Sequence, residues 1–216
     1  MQESPHAGQA LHSAGVPLTE AGAAMVMLHG RGSSADDILS LVDQLDQGRF
    51  AYLAPQAAGS SWYPKSFRAP LAENEPWLSS ALAAVREAVD TAEQAGVPAD
   101  RVLLLGFSQG ACLTLEFVAR GPRRYGGVAA LTGALIGPDG AQRQPAGRLD
   151  GTPVFLGCGD PDPHVPLARV DEAAAAFAAM GAILTRRVYP GLGHAVNRDE
   201  IDFVRGMMEG LLEYGE

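Results

Sequence analysis

The chain has 216 residues, enough for one domain with a sizeable core, and no internal repeat or composition shift divides it. Its net charge is −9 with only 19% charged residues, a balance that repels polyanions and disfavours nucleic acid and anionic membranes as partners. The two cysteines, Cys112 and Cys158, suit a reducing compartment rather than a disulfide framework. The stretch MQESPHAGQALHSAG has neither the basic nor the apolar region of a leader, and no apolar run reaches membrane-spanning length. The expectation is a soluble, cytoplasmic protein without stable membrane association, with a homodimer left open.

Residues 1–21 read as an N-terminal segment. Short apolar runs then recur at Ala24–Leu28, Phe50–Ala54, Val102–Leu105, Val128–Leu131 and Val154–Leu156. They are near-continuous rather than alternating, as in strands covered on both faces. Ile38, Leu41, Val42 and Leu45 form a helical stripe behind Ser33 and Ser34, which offer an N-cap, with Asp36 and Asp37 in the first turn. Leu78, Leu82, Val85 and Val89 form a second stripe, opened near Pro76 and closed by Gly96 and Pro98. A third helix is expected from Gln109 to Arg120, stopped at Gly121-Pro122, and two more over Asp171–Met180 and along Ile201, Val204, Met208 and Leu211. The more polar Ile183–Tyr189 fits a sheet edge. Strand and helix alternate, which predicts an α/β protein with a mostly parallel sheet between helix layers. The stretch from Gly59 to Glu75 is too long and too rich in Pro, Ser and aromatics to be a simple connector.

Gly106-Phe107-Ser108-Gln109-Gly110 fits G-x-S-x-G, placed after a buried strand and before a helix, as a nucleophile elbow requires. The flanking glycines let strand and helix approach closely, and the sharp turn presents the Ser108 hydroxyl at the carboxyl edge of the sheet. A serine hydroxyl needs a base. Of five histidines, His194 in PGLGHAV lies in a glycine-rich loop between the last strand and last helix, where a mobile backbone brings imidazole over that edge. The acid should come from a strand end between the two, and Asp160 and Asp162 both follow VFLGCG. His29, directly after a buried strand, reads as a hydrogen-bonded structural histidine.

The motifs HGRG at 29–32, GFSQG at 106–110, GDPDPHVP at 159–166 and GLGH at 191–194 together resemble the phospholipase/carboxylesterase family of α/β-hydrolases, which includes acyl-protein thioesterases. The resemblance runs from about residue 22 to the end. It implies a single α/β-hydrolase domain, places the acid on Asp162, and assigns the oxyanion hole to the backbone N–H groups of Arg31 and Gln109. It also implies that the 59–77 stretch borders the acyl site, with Trp62, Tyr63, Phe67 and Trp77 as an apolar wall completed by Leu135 and Ile136. Arg31 departs from the leucine frequent in the thioesterases, which frees its side chain for solvent, for Asp36 or Asp37, or for a substrate carboxylate. The serine argues against the dienelactone hydrolases, relatives with cysteine at the elbow.

The expected chemistry is hydrolysis of a small ester or thioester through Ser108, His194 and Asp162 and an acyl-enzyme, with no metal or organic cofactor required. Carboxylesterase is the first reading, with acyl thioesterase or lysophospholipase as the alternative. A non-catalytic binding protein on the same fold is the rival from another class.

Overall fold

The computed structural model describes residues 4–45, 47–141 and 146–213. Seven strands form one sheet: β1 (Leu11–Gly15), β2 (Ala23–Leu28), β3 (Phe50–Pro55), β4 (Val102–Phe107), β5 (Gly127–Leu131), β6 (Pro153–Asp160) and β7 (Ile183–Pro190). Their order is β1-β3-β2-β4-β5-β6-β7, parallel except for β1, which runs antiparallel to β3. Among the described residues six α-helices accompany them: α1 (Ala35–Leu39), α2 (Val42–Leu45), α3 (Trp77–Gln94), α4 (Gln109–Arg120), α5 (Leu167–Ala179) and α6 (Arg198–Glu213).

The continuous apolar runs are explained by two cores. Ala24, Val26, Leu28, Val102, Leu104 and Val128 point to one face, covered by α3, α4 and α5. Met25, Met27, Tyr52, Leu103, Leu105 and Phe155 point to the other, covered by α1, α2 and α6. Successive residues of a strand alternate between faces, so a strand buried on both must be apolar throughout. β7 lies at the sheet edge, half-buried along its length, with Ile183 65% exposed.

Three elements differ from the sequence expectation. β1 occupies part of what reads as an N-terminal segment; its alternately exposed residues carry little apolar signal, and backbone pairing to β3 makes it a strand. The stripe from Ile38 to Leu45 is broken into α1 and α2. Ser34 caps α1 in a capping box with Asp37, and the Ser40 hydroxyl donates to the Asp37 carbonyl at 2.6 Å, an interaction that competes with helix continuation. α5 also begins at Leu167, four residues before the expected start.

Candidate active site

The turn from β4 to α4 forces Ser108 to φ 56° and ψ −117°, a conformation that costs an L-residue energy. The two glycines make that turn feasible. A methyl at Gly106 would overlap the backbone of Gly110, and one at Gly110 would overlap the Leu28 carbonyl oxygen. Strand, helix and neighbouring strand therefore meet through backbone alone, with the serine at the crest. The Ser108 N–H is held by the Leu131 carbonyl at 3.0 Å.

His194 stands over this crest from the loop after β7. Its Nε2 lies 2.7 Å from Ser108 Oγ and its Nδ1 lies 2.8 Å from Asp162 Oδ2. The neutral tautomer protonated at Nδ1 satisfies both contacts: the ring donates to the carboxylate and accepts from the hydroxyl. The ring packs on Phe107 (centroids 5.3 Å) and on His164 (4.7 Å, edge-on). The loop comes this close because Gly159 in β6 has no side chain; a methyl there would overlap the carbonyl oxygens of Leu192 and Gly193. Asp162, its side chain only 1% exposed, spends its other oxygen on the N–H groups of His164 (2.7 Å) and Val165 (2.9 Å). Burial pushes this carboxyl up, but hydrogen bonds from the Val165 N–H, His194 and the His164 N–H together hold it below the ordinary aspartate range. Asp160, two residues earlier, is exposed at the end of β6.

The backbone N–H groups of Arg31 and Gln109 donate to no described protein acceptor. The Gln109 N–H is one of the orphan donors at the start of α4, where the helix dipole favours negative charge. The Gln109 side chain has a separate task, accepting from the Trp62 N–H (2.9 Å) and donating to the Tyr63 carbonyl (2.8 Å).

A cleft of about 370 Å³ opens at Ser108, lined by Tyr63, Ser66, Phe67, Cys112 and Val165 together with Arg31, Gln109, His164 and His194. Burial pushes the Cys112 thiol up to about 11, so it stays protonated and is no rival nucleophile. Of the aromatics expected as a wall, Tyr63 and Phe67 line the cleft. Trp62 does not: it is fully buried beneath the loop, its indole N–H donating to the His29 carbonyl and its ring against His6 and His29. Trp77 packs against His6 at the start of α3. Leu135 and Ile136 are also placed elsewhere, in a second, 590 Å³ cavity with Glu116, Arg120 and Met180 that shares no lining residue with the first. The buried Arg169 guanidinium draws the chain there by donating to the Leu135 and Gly137 carbonyls.

The 59–77 stretch is stapled by side chains to which the sequence reading gave no such task. His6 contacts the Trp62 carbonyl (2.9 Å) and accepts from the Ala58 N–H, and Asn74 accepts from the Lys65 N–H (2.8 Å). Arg31 donates to Ser61 Oγ, the Pro64 carbonyl and the Lys65 carbonyl at 3.1, 3.1 and 2.7 Å, rather than reaching Asp36 or Asp37. His29, fully buried, takes the structural role expected: Nε2 accepts from the Ala57 N–H and Nδ1 contacts the Gly30 carbonyl.

Glu200 is a buried acid behind the site. It begins α6 by accepting from the Asn197 N–H, which anchors the His194 loop, and a methyl on Gly157 would overlap its Oε1. Burial pushes its carboxyl from 4.5 to about 7, with the Asn197 bond working the other way. Between those values the unfolded chain releases a proton that the folded chain keeps, so stability falls as pH rises through the window, with the loss complete above it. Glu200→Gln can still accept from Asn197 and never ionises. It is expected to raise Tm relative to wild type at pH 8, by up to about 3 kcal/mol of stability, and to change it little at pH 5. Equal Tm differences at both pH values would show that Glu200 does not titrate in this window.

The sheet order, the elbow and the His194 loop define the class as an α/β-hydrolase. The sequence profile of the phospholipase/carboxylesterase family matches residues 16–211, and the chain belongs to that family. A phospholipase/carboxylesterase crystal structure from Dyadobacter fermentans superposes with a TM-score of 0.89 at 46% identity, covering 94% of this chain and 97% of that one. Arabidopsis thaliana SOBER1 shares the fold at a TM-score of 0.71 and 23% identity, covering 88% of this chain and 99% of that one. Acyl-protein thioesterase 1 of Saccharomyces cerevisiae is 31% identical over 127 residues, 58% of this chain and 54% of the yeast protein. The chain spans about half the length of the curated relatives it matches. Among the described residues no helix is long and apolar enough to cross a membrane.

Proposed function

We propose that this chain is a carboxylesterase that cleaves small esters through an acyl-enzyme on Ser108. The observation that carries the reading is the unbroken hydrogen-bond chain Ser108–His194–Asp162, with contacts of 2.7 and 2.8 Å. In the proposed sequence Ser108 Oγ attacks the carbonyl carbon as its proton passes to His194 Nε2, and Asp162 stabilises the imidazolium through Nδ1–H. The Arg31 and Gln109 N–H groups receive the developing oxyanion. His194 then returns the proton to the departing alkoxide, and water, deprotonated by the same ring, releases the acid. The setting is cytoplasmic, in keeping with two buried, free cysteines.

Acyl thioesterase is the second reading, favoured by the likeness to the yeast acyl-protein thioesterase. Matched oxygen and sulfur esters of the same short acyl group separate the two readings. A kcat/KM at least about tenfold higher for the oxygen ester, after allowance for the intrinsic reactivities, supports carboxylesterase, and the reverse order supports thioesterase.

A further inference from the structure

The chain carries −9, yet Arg31 is the one side chain of fixed charge among the described residues lining the Ser108 cleft, which include no aspartate or glutamate; the Asp162 carboxylate behind His194 is held by that ring and by two backbone N–H groups. Arg31 is exposed, and its three hydrogen bonds go to a hydroxyl and two carbonyls, all neutral acceptors. Those bonds fix the guanidinium in place without cancelling its charge, and they leave two of its five N–H donors unspent. The acids close to it in sequence are committed elsewhere. Asp36 meets His12 at 2.7 Å, and Asp37 is occupied by Ser33 and Ser34 in the α1 cap. Lys65, the chain's only lysine, adjoins Arg31 through its own carbonyl and exposes its ammonium group with no carboxylate partner among the described residues. Arg68, slightly farther along, is already paired with Asp139.

We infer that this cleft selects esters bearing a carboxylate a few bonds from the scissile carbonyl, with Arg31 as the specificity-determining residue. Monoesters of short dicarboxylic acids are the substrate class that fits. A cationic group held rigid at a cleft, in a protein whose remaining field is negative, is favourable chiefly to a substrate whose anion meets it directly. The size of the cleft, about 370 Å³, lies near the lower end of small-molecule sites, and its lining mixes Arg31, Ser66, Gln109 and His164 with the apolar Tyr63, Phe67, Cys112 and Val165, which suits a short acyl group with a charged end better than a long alkyl chain. The inference rests on the hydrolase reading above and adds the substrate class to it.

The test compares monophenyl glutarate with phenyl pentanoate, which has the same acyl length and leaving group but no charge. The wild type is expected to favour the charged ester by about tenfold or more in kcat/KM, the size of a charge-assisted contact, with the preference shrinking at high salt. Arg31→Gln should bring the ratio close to one, whereas Arg31→Lys, which keeps the charge, should preserve most of it. Using the ratio cancels any change that a substitution makes to the chemical step shared by both esters. A wild-type ratio of one or below overturns the inference, as does a preference that survives Arg31→Gln. Turnover of neither ester, with no labelling by a fluorophosphonate, would instead remove the hydrolase reading and this inference with it.

Discussion

Ser108→Ala is expected to abolish labelling by a fluorophosphonate and to lower kcat for p-nitrophenyl acetate by about 10⁴- to 10⁶-fold, the scale on which removal of a nucleophile is felt when base and acid act with it as a unit. Alanine removes only Oγ. The other positions of the elbow are untouched, and alanine keeps the Cβ that makes φ 56° costly, so Tm should change little. The wild type should take up one label, mapped by mass spectrometry to Ser108. Label on another serine, or turnover by the alanine variant near that of wild type, would end the assignment. A wild type that neither labels nor turns over any ester would favour the non-catalytic binding protein.

Asp162→Asn should cost about 10⁴-fold in kcat while leaving the cleft in place. The carboxylate accepts from three donors: the His194 ring, the His164 N–H and the Val165 N–H. An asparagine has only one accepting oxygen. If that oxygen stays with the two backbone donors, its NH₂ faces Nδ1 and selects the tautomer whose Nε2 carries the proton, which cannot accept from Ser108. Asp160→Asn should change kcat little, because that side chain is exposed at the strand end and the two ring nitrogens of His194 are engaged by Asp162 and Ser108. The two variants measured side by side under saturating substrate decide the matter. A large loss for Asp160→Asn with a small one for Asp162→Asn would move the acid to the other position.

What could be read from the sequence follows from how local each constraint is. The elbow is written in five consecutive residues because sterics demand glycine where Gly106 and Gly110 back onto neighbouring backbone. The strands covered on both faces announce themselves for the same kind of reason. The choice between Asp160 and Asp162, by contrast, depends on which carboxylate the turn points inward, and turn composition alone leaves both open. β1 escapes notice because a polar edge strand is made by its partner's backbone. Trp62, Leu135 and Ile136 were reasonable wall residues by type, yet an indole N–H seeks a buried acceptor and found the His29 carbonyl, and Arg169 fixes the other two around a different cavity. No pattern along the chain links Arg31 to Pro64 or His6 to Trp62, since those contacts join segments dozens of residues apart.

The way the substrate-side wall is held has a practical consequence. Nearly every atom by which His6, Arg31, Asn74 and Gln109 grip the segment from Ala58 to Ser66 is a main-chain atom: the Ala58, Trp62 and Lys65 N–H groups and the Trp62, Tyr63, Pro64, Lys65 and Ser66 carbonyls. Most of the instructions for the shape of this short segment are thus stored outside it; the exposed Lys65 side chain carries none of them, and Ser66 adds only the contact of its hydroxyl with the Arg68 N–H at 3.2 Å. Those two positions form an interchangeable face on a fixed frame. Randomising them should diversify what the cleft accepts while the library retains its folded fraction, whereas randomising the four gripping residues should deplete it.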